Sequence, residues 1–367
     1  MTLTTIFLLI MGFVFLVGGA ELLVRGSARL AVAAGISSLV VGLTVVAFGT
    51  SAPELAVSVM SAYKGQADLA VGNVVGSNIF NILVILGLAA VIVPLVVAQQ
   101  LVRFDVPVMI FVSILVVPMG LDGKIGRIDG LLLFAGVVAY TIFLIRQSRR
   151  EGSAEVKAEY ESEFGAKEST SWVKNVALVI VGVASLVLGS KWLVDGAVEI
   201  ARAFQISELV IGLTVIAAGT SMPEVATSVV AAIRGERDIA VGNAVGSSIF
   251  NSLCVLGLSS VVSPDGIAVS KVAMSFDIPV MIAVAIACLP VFFSGYRISR
   301  ANGVLLLVMY GAYLSYLLLN ATGHQALDTY RTAMIWFVLP IIAITLLGIG
   351  LQALRSRRLR QPPAGGV

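Results

Sequence analysis

The sequence has few charges and almost no side chains that bind metals through nitrogen or sulfur. Asp, Glu, Lys and Arg make up 12% of its 367 residues, about half of the roughly 25% found in soluble domains. It contains one histidine, His324, and two cysteines, Cys254 and Cys288. Both cysteines fall in apolar runs, where a free thiol usually packs as a small hydrophobic group. A disulfide, a thiolate or imidazole metal site and a nucleic-acid surface are therefore not expected.

Long apolar runs dominate the chain. Hydrophobic residues make up 58% of the sequence, and the mean hydropathy is +1.02. A helix of about 20 residues crosses the hydrocarbon core of a bilayer, and eleven runs of this kind can be recognised. The predicted spans are residues 5–24, 37–62, 69–97, 104–121, 129–146, 173–194, 207–232, 239–262, 273–294, 302–320 and 333–354. The sequence therefore predicts a multi-pass protein embedded in the lipid bilayer.

The distribution of basic residues predicts the orientation of these spans. The basic residues nearest the first span follow it, which argues against a cleavable signal peptide and for an N-terminus on the outer side. Alternating from there, 17 of the 24 Lys and Arg residues fall on the cytoplasmic side, as the positive-inside rule requires. We expect the C-terminus, with its basic tail, to be cytoplasmic, and the location to be the plasma (inner) membrane.

Two sequence blocks occur twice, 170 residues apart. Residues 42–54 match residues 212–224 at ten of thirteen positions, and residues 70–81 match residues 240–251 at ten of twelve. Corresponding spans are five crossings apart, so the two halves run through the membrane in opposite directions. This is the inverted repeat of many secondary transporters. We predict an all-α protein with two inverted five-helix repeats and one additional C-terminal helix.

The same pattern divides the chain into four parts. Residues 1–146 form the first repeat, residues 147–172 a polar cytoplasmic linker and residues 173–320 the second repeat. Residues 321–367 supply the extra span and the basic tail.

Each copy of the first block places a proline inside a span. Pro53 and Pro223 lack the amide proton that a continuous helix needs, so each helix is expected to kink or open. Opened backbone is tolerated at membrane depth only where it lines a hydrated cavity or is buried in protein. We therefore expect freed carbonyl oxygens, those of Ala47 and Ala217, to be candidate ligands.

Each copy also buries a carboxylate, that of Glu54 or Glu224. A charge in the bilayer core costs about 2.5–3.5 kcal/mol or more and usually marks a binding site or a pathway. No basic residue inside the spans is placed to pair with either glutamate. Thr50 and Ser51 lie one turn before Glu54, and hydroxyl, carbonyl and carboxylate oxygens are the ligands of Ca²⁺. The sequence therefore predicts one shared cation site.

The second block adds polar residues to the following helix of each half. They lie four residues apart and face the same way: Ser77 and Asn81, Ser247 and Asn251. Hydrogen bonds between helices are an alternative role for them. Asn73 and Asn243 are expected to cap backbone groups at the helix breaks. The glycine pairs of this block, Gly72 with Gly76 and Gly242 with Gly246, favour close helix packing.

Three further acids lie near the predicted span ends. Asp105 and Asp277 each precede a proline at the start of a span, where an acidic side chain is favoured by the helix dipole. We predict that both cap their helices. Glu21 is expected to reach polar headgroups or loops at the inner end of the first span.

The duplicated motif Gly-Thr-Ser-x-Pro-Glu, followed each time by Gly-Asn-x-x-Gly-Ser-x-Ile-Phe-Asn, resembles the alpha repeats of the sodium/calcium exchanger family, within the calcium/cation antiporter superfamily. The resemblance covers ten of the eleven predicted spans and implies a cation site at mid-membrane. The calcium ligands it implies are Glu54, Glu224, Thr50 and Thr220. The additional sodium ligands it implies are Ala47, Ser51, Ser77, Ala217, Ser221 and Ser247. Asn81 and Asn251 would stand near the central position, and some relatives carry Asp in place of Asn251.

The expected function is exchange of Na⁺ for Ca²⁺ by alternating access. The partners are then the two ions and the lipid bilayer, with no nucleic acid and no cofactor. A monomer would be sufficient because one chain carries both motifs. Proton-coupled or other divalent-cation antiport by the same fold is an alternative, and a cation channel is a rival of a different class. An enzyme is not expected, since no span contains a histidine to activate Ser51 or Ser221.

Overall fold

The apolar runs form long helices, described here from a computed structural model that covers residues 3–151, 172–293 and 295–360. Within that part, nine helices are long and apolar enough to span a bilayer, and two bent helix pairs raise the number to eleven if each pair is one span. The prediction of a polytopic all-α protein is confirmed. Most of the predicted linker, residues 152–171, lies outside the described residues.

The first half contains four long helices and one broken span. They are α1 (Thr4–Ala34), the broken pair α2 (Ser38–Thr50) and α3 (Ala52–Tyr63), α4 (Ala67–Ile92), α5 (Leu101–Met119) and α6 (Arg127–Arg150). The second half repeats this order. It consists of α7 (Trp172–Ala203), the broken pair α8 (Thr214–Thr220) and α9 (Met222–Ile233), α10 (Arg237–Val262), α11 (Ala273–Phe293) and α12 (Arg300–Ala321). The additional helix, α13 (Leu327–Ile349), packs against α11.

The two broken spans each bend two residues before the proline of the motif. The bend is 49° between α2 and α3 and 57° between α8 and α9. Ser51 and Ser221 stand at the bends with nearly the same backbone angles, φ −80° and ψ 10° against φ −89° and ψ 8°. Pro53 and Pro223 lie in the first turn of the following helix, where a missing amide proton does no harm. The predicted breaks are therefore confirmed.

Two short sheets join the halves and show that they are inverted. The strands are β1 (Leu95–Val96), β2 (Lys124–Ile125), β3 (Ile267–Ala268) and β4 (Arg297–Ile298). The first and third strands occupy equivalent positions in the two halves, as do the second and fourth. Yet β1 pairs with β4 and β2 with β3, both antiparallel. Equivalent loops therefore lie on opposite sides of the molecule.

Side chains at the same junctions repeat this cross-pairing. Arg127 Nε, at the start of α6, donates to the carbonyl oxygen of Ser263 (3.3 Å), just after α10 ends. Arg300 Nε, at the start of α12, donates to the carbonyl oxygen of Val91 (3.1 Å), in the last turn of α4. The last carbonyl groups of a helix have no donor within the helix. Each arginine supplies donors to such a helix end in the opposite half.

The helices α1 and α7 cross in close backbone contact. A Cβ atom on Gly12 would lie 2.9 Å from the Gly189 carbonyl oxygen, and one on Gly189 would lie 2.8 Å from that of Gly12. Gly19 and Gly182 form the second such contact. Small residues allow membrane helices to pack this closely, so α1 and α7 form one unit, the α1–α7 pair.

One cap prediction is wrong. Asp105 makes no capping hydrogen bond at the start of its helix. Its Oδ1 atom instead accepts a hydrogen bond from Tyr140 Oη on α6 (2.9 Å), and Tyr313 Oη contacts Asp277 Oδ1 in the same way (3.4 Å). A bond to a neighbouring helix satisfies these acids because their helices continue through a wide π-helical turn instead of beginning there.

Candidate cation site

Four helix segments meet at the centre of the molecule. The two broken spans contribute the residues around their bends, and α4 and α10 contribute their middle turns. In both α4 and α10 the middle turn widens into a π-helical turn that begins at Asn81 and at Asn251. Such turns occur frequently at functional sites. Glu54 and Glu224 are both fully buried.

The two glutamates are held by crossed hydrogen bonds between the halves. Ser51 Oγ donates to Glu224 Oε1 at 2.9 Å, and Ser221 Oγ donates to Glu54 Oε1 at 2.9 Å. Each serine lies three residues before the glutamate of its own half, yet it bonds to the glutamate of the other half. The crossed bonds therefore bring both carboxyl groups to one place, as the inverted repeat predicts.

Seven other polar atoms at this centre have no hydrogen-bond partner within the described part of the chain. They are Glu54 Oε2, Glu224 Oε2, Ser247 Oγ and both side-chain polar atoms of Asn81 and Asn251. Buried polar atoms are nearly always satisfied, so a group of such atoms needs an explanation. Carboxylate, hydroxyl and amide oxygens are the groups that a hard cation binds. The alternative that Asn81 and Asn251 join helices by hydrogen bonds gains no support.

Ser77 and Thr50 are also buried at this centre but have partners. Ser77 Oγ accepts a hydrogen bond from Ser221 Oγ at 3.3 Å. Thr50 Oγ1 lies 3.0 Å from Asn243 Oδ1, to which it donates. Thr220 occupies the equivalent position at the end of α8. The structure thus brings the predicted hydroxyl residues to the two carboxylates, and their assignment as ligands stays a prediction.

In the first half, the backbone carbonyl opened by the break is not the one expected. The Ala47 carbonyl oxygen accepts the backbone amide of Ser51 (3.0 Å), so the expectation that the break frees it is wrong. A proline removes the hydrogen bond to the residue four positions earlier, which is Gly49 in the first half and Gly219 in the second. Ala47 O retains a lone pair, and its predicted ligand role stays a prediction. The side chain of Ala217 lies outside the described residues.

A layer of amides and hydroxyls supports the glutamates from behind. Asn73 Nδ2 donates to the backbone carbonyl of Glu54 (3.2 Å), and Asn243 Nδ2 donates to that of Glu224 (3.2 Å). Both asparagines therefore bind backbone groups beside the breaks, although these carbonyls lie inside α3 and α9 and are not groups that the breaks free. The same amides also donate to Ser58 Oγ (2.8 Å) and Ser228 Oγ (2.9 Å). Those two serines were not predicted, although their 170-residue spacing could have identified them.

The acidic residues do not form a conventional metal cluster. Within the described ranges, no group of three or more His, Cys, Asp or Glu side chains could hold a metal ion. The centre has two carboxylates, and its other oxygens are neutral. A site of this kind suits an ion that is bound and released better than one that is held permanently, because neutral ligands add little charge attraction.

The fold and this centre together define a class. Two inverted repeats with discontinuous helices and a buried polar site at their interface are the architecture of a secondary transporter. The family model described as "Sodium/calcium exchanger protein" matches residues 4–146 and 174–319. The chain belongs to the sodium/calcium exchanger family, whose members are transporters. The resemblance seen in the motifs is therefore confirmed.

Individual proteins agree with this assignment. The chain is 41% identical over 286 residues to the inner membrane protein YrbG of Escherichia coli, covering 76% of this chain and 86% of that one. It is 31% identical over 339 residues to the sodium/calcium exchanger MaX1 of Methanosarcina acetivorans, covering 84% and 96%. The solved structure of the sodium-calcium exchanger NCX_Mj, soaked with Na⁺ and no Ca²⁺, superposes with a TM-score of 0.74 at 30% identity. That match covers 86% of this chain and 100% of the other.

Proposed function

We propose that this protein exchanges Na⁺ for Ca²⁺ across the membrane by alternating access. The family membership makes it a cation antiporter of the sodium/calcium exchanger type. The choice of Na⁺ and Ca²⁺ rests on one observation: Glu54 and Glu224 meet through crossed hydrogen bonds to Ser221 and Ser51. The names of MaX1 and NCX_Mj as sodium/calcium exchangers support the same pair of ions.

The site fits one divalent ion by charge. Two ionised carboxylates carry two negative charges, which one Ca²⁺ neutralises. In our proposal, Glu54, Glu224, Thr50 and Thr220 bind Ca²⁺. Several Na⁺ ions bind the same carboxylates together with the serine hydroxyls and the carbonyls of Ala47 and Ala217. Asn81 and Asn251 lie beside the central position.

Exchange follows from the cost of burying an empty site. Two unneutralised carboxylates in a low-dielectric interior are strongly disfavoured, so the helices can close over the site only when cations occupy it. Because the closed site must hold either Ca²⁺ or Na⁺, neither ion crosses without the return of the other. Sodium entering down its gradient then drives calcium out.

We also propose the inner membrane as the location, with the N-terminus outside and the C-terminus in the cytoplasm. The support is the location in the name of YrbG and the excess of basic residues on the predicted cytoplasmic side. The cross-paired strands agree with the inverted topology on which that count depends.

Calcium-45 flux in proteoliposomes tests the proposal directly. Sodium, potassium and proton gradients are imposed one at a time on vesicles containing the purified protein. We expect calcium uptake only with an outward sodium gradient. Calcium uptake driven by a proton gradient alone would show that H⁺, and not Na⁺, is the coupling ion. Uptake without any counter-ion gradient would show a channel and overturn antiport.

A further inference from the structure

The α1–α7 pair packs closely on α9 but not on the equivalent helix α3. Helix α1 packs along α9, the second segment of the broken span in the second half, whereas α7 makes little contact with the equivalent helix α3. Equivalent side chains show the difference. Thr227 on α9 is fully buried, while its counterpart Val57 on α3 is 42% exposed. The pair therefore covers the face of α9 at Thr227 and leaves the equivalent face of α3 at Val57 uncovered.

A bridging ion pair fastens α1 to the end of α9. Arg234, the residue that follows α9, donates from Nε to Glu21 Oε2 at 2.8 Å, and its Nη2 atom contacts Glu21 Oε1. Two parallel bonds between a guanidinium and a carboxylate are stronger and more directional than one. Arg25, one turn further along α1, also pairs with Glu21. Glu21 therefore binds the residue that follows α9 in the opposite half of the protein, in line with the expectation that it reaches headgroups or loops.

A hydrogen bond fastens α7 to the same broken span. Ser190 Oγ donates to the Gly219 carbonyl oxygen at 2.5 Å. Pro223 cannot give this carbonyl the usual helical donor four residues later, and Ser190 supplies a side-chain donor beside the Ser221 amide. We name the two interactions, Glu21 with Arg234 and Ser190 with Gly219, the second-half contacts.

The first half cannot form either interaction. The positions equivalent to Glu21 and Arg234 are Lys191 and Lys64, and two ammonium groups repel each other. The position equivalent to Ser190 is Ala20, which has no donor to offer. The motif residues are nearly identical between the halves, yet these contacts exist on one side only.

We propose that Glu21, Arg234 and Ser190 are positioning residues of the transport cycle, which hold closed the approach to the site that lies beside α9. This inference rests on the proposed function only because it assumes that the transporter alternates between two states. The second-half contacts bias the equilibrium between those states toward the one seen here. A partly exposed ion pair is weak, so its loss shifts the equilibrium about two- to fivefold. A weak bias of this size suits a gate that must open in every cycle.

The test measures the accessibility of both approaches without any ion gradient. The background carries Cys254→Ala and Cys288→Ala, which removes both native thiols. Thr227→Cys reports on the covered approach and Val57→Cys on the uncovered one. Alkylation by a charged maleimide is timed in lipid nanodiscs, where the reagent reaches both faces of the protein.

We expect Arg234→Gln and Ser190→Ala each to speed labelling of Thr227→Cys about two- to fivefold and to slow labelling of Val57→Cys. Arg234→Lys should restore most of the original rates, and Lys64→Gln, the matched control, should change neither. A general loosening of the fold would speed labelling of both reporter cysteines and would overturn the proposal. Unchanged labelling rates in Arg234→Gln and Ser190→Ala would also overturn it. Val230→Cys replaces Thr227→Cys if that variant does not fold. Because flux is measured separately, a failure of sodium coupling leaves this result standing.

Discussion

The two halves of the protein pack differently at glycines that their sequences share. Gly76 and Gly246 occupy the same position of the repeated block. A Cβ atom on Gly246 would lie 2.7 Å from the Leu43 Cα and carbonyl oxygen of α2, whereas one on Gly76 would meet nothing within 4 Å. Gly242 is also in backbone contact, and Gly72 is not. The predicted close packing therefore holds for the second copy and is wrong for the first in this state.

This difference shows what the duplicated sequence encodes. The residues at the cation site are bonded symmetrically, with crossed serine–glutamate bonds of equal length. The surfaces that approach the site are packed asymmetrically. One chain with two inverted halves can therefore present the same ligands to either side of the membrane while only one approach is uncovered. Under the proposed alternating access, each half takes its turn at being the packed one, and both halves then need the glycine motif.

The largest effect is expected at the site itself, where the halves should be equivalent. Glu54→Gln and Glu224→Gln each leave one carboxylate to bind a divalent ion, and removing one member of a buried charged group costs about 3–5 kcal/mol. We expect either variant to lower calcium flux in proteoliposomes by on the order of 100-fold or more. Asp265→Asn, in an exposed loop, is the control. If one glutamate proved dispensable, the site would belong to one half alone.

The second prediction compares the two glycines directly. In this packing, Gly246→Ala forces a side chain against the backbone of α2, which costs about 1–3 kcal/mol and should lower the thermal unfolding temperature. Gly76→Ala should leave that temperature unchanged. In the opposite state, however, α4 must approach α8 as α10 approaches α2 here, so Gly76→Ala should still lower turnover. Full turnover by this variant would show that the two states are not related by exchange of the halves.

These contrasts also show how far the sequence determines the site. The positions of Glu54 and Glu224 and of both helix breaks could be predicted, because a buried charge and a proline inside an apolar run have few structural solutions. The partner of Asp105 could not, since Tyr140 lies 35 residues away on another helix. The packing of Gly76 could not be predicted either, because the surroundings of this residue depend on which of the two proposed states the helices adopt.

The ends of the α1–α7 pair were misjudged for a related reason. The first span was predicted to end at residue 24, but α1 continues to Ala34. Hydropathy falls where Glu21 and Arg25 enter the sequence. In the structure these charges pair with each other at the favourable four-residue spacing and with Arg234, so the helix passes through them without isolating a charge. Only the fold supplies that third partner.

A third, intermediate effect is expected from the crossed serines. Ser51→Ala removes the bond to Glu224, and Ser221→Ala removes the bond to Glu54. A hydrogen bond to a charged group is worth about 1.5–3 kcal/mol, so each variant should weaken the apparent sodium affinity by about tenfold or more. Flux is measured against sodium concentration, with Ser315→Ala on α12 as the control. Unequal losses would show that sodium depends more on one half than on the other.

The smallest effect is expected at the junctions, and it separates the fixed part of the protein from the moving part. Arg127 and Arg300 cap equivalent helix ends on opposite sides, and both are exposed. Losing either set of hydrogen bonds should cost about 1 kcal/mol. We expect Arg127→Gln and Arg300→Gln to lower the unfolding temperature slightly and equally, with unchanged turnover. These caps and the paired strands are symmetric in a state where the packing of the α1–α7 pair is not. We therefore infer that they stay in place during the proposed transport cycle, while the α1–α7 pair moves. A loss of turnover in only one of the two variants would place that junction in the moving part.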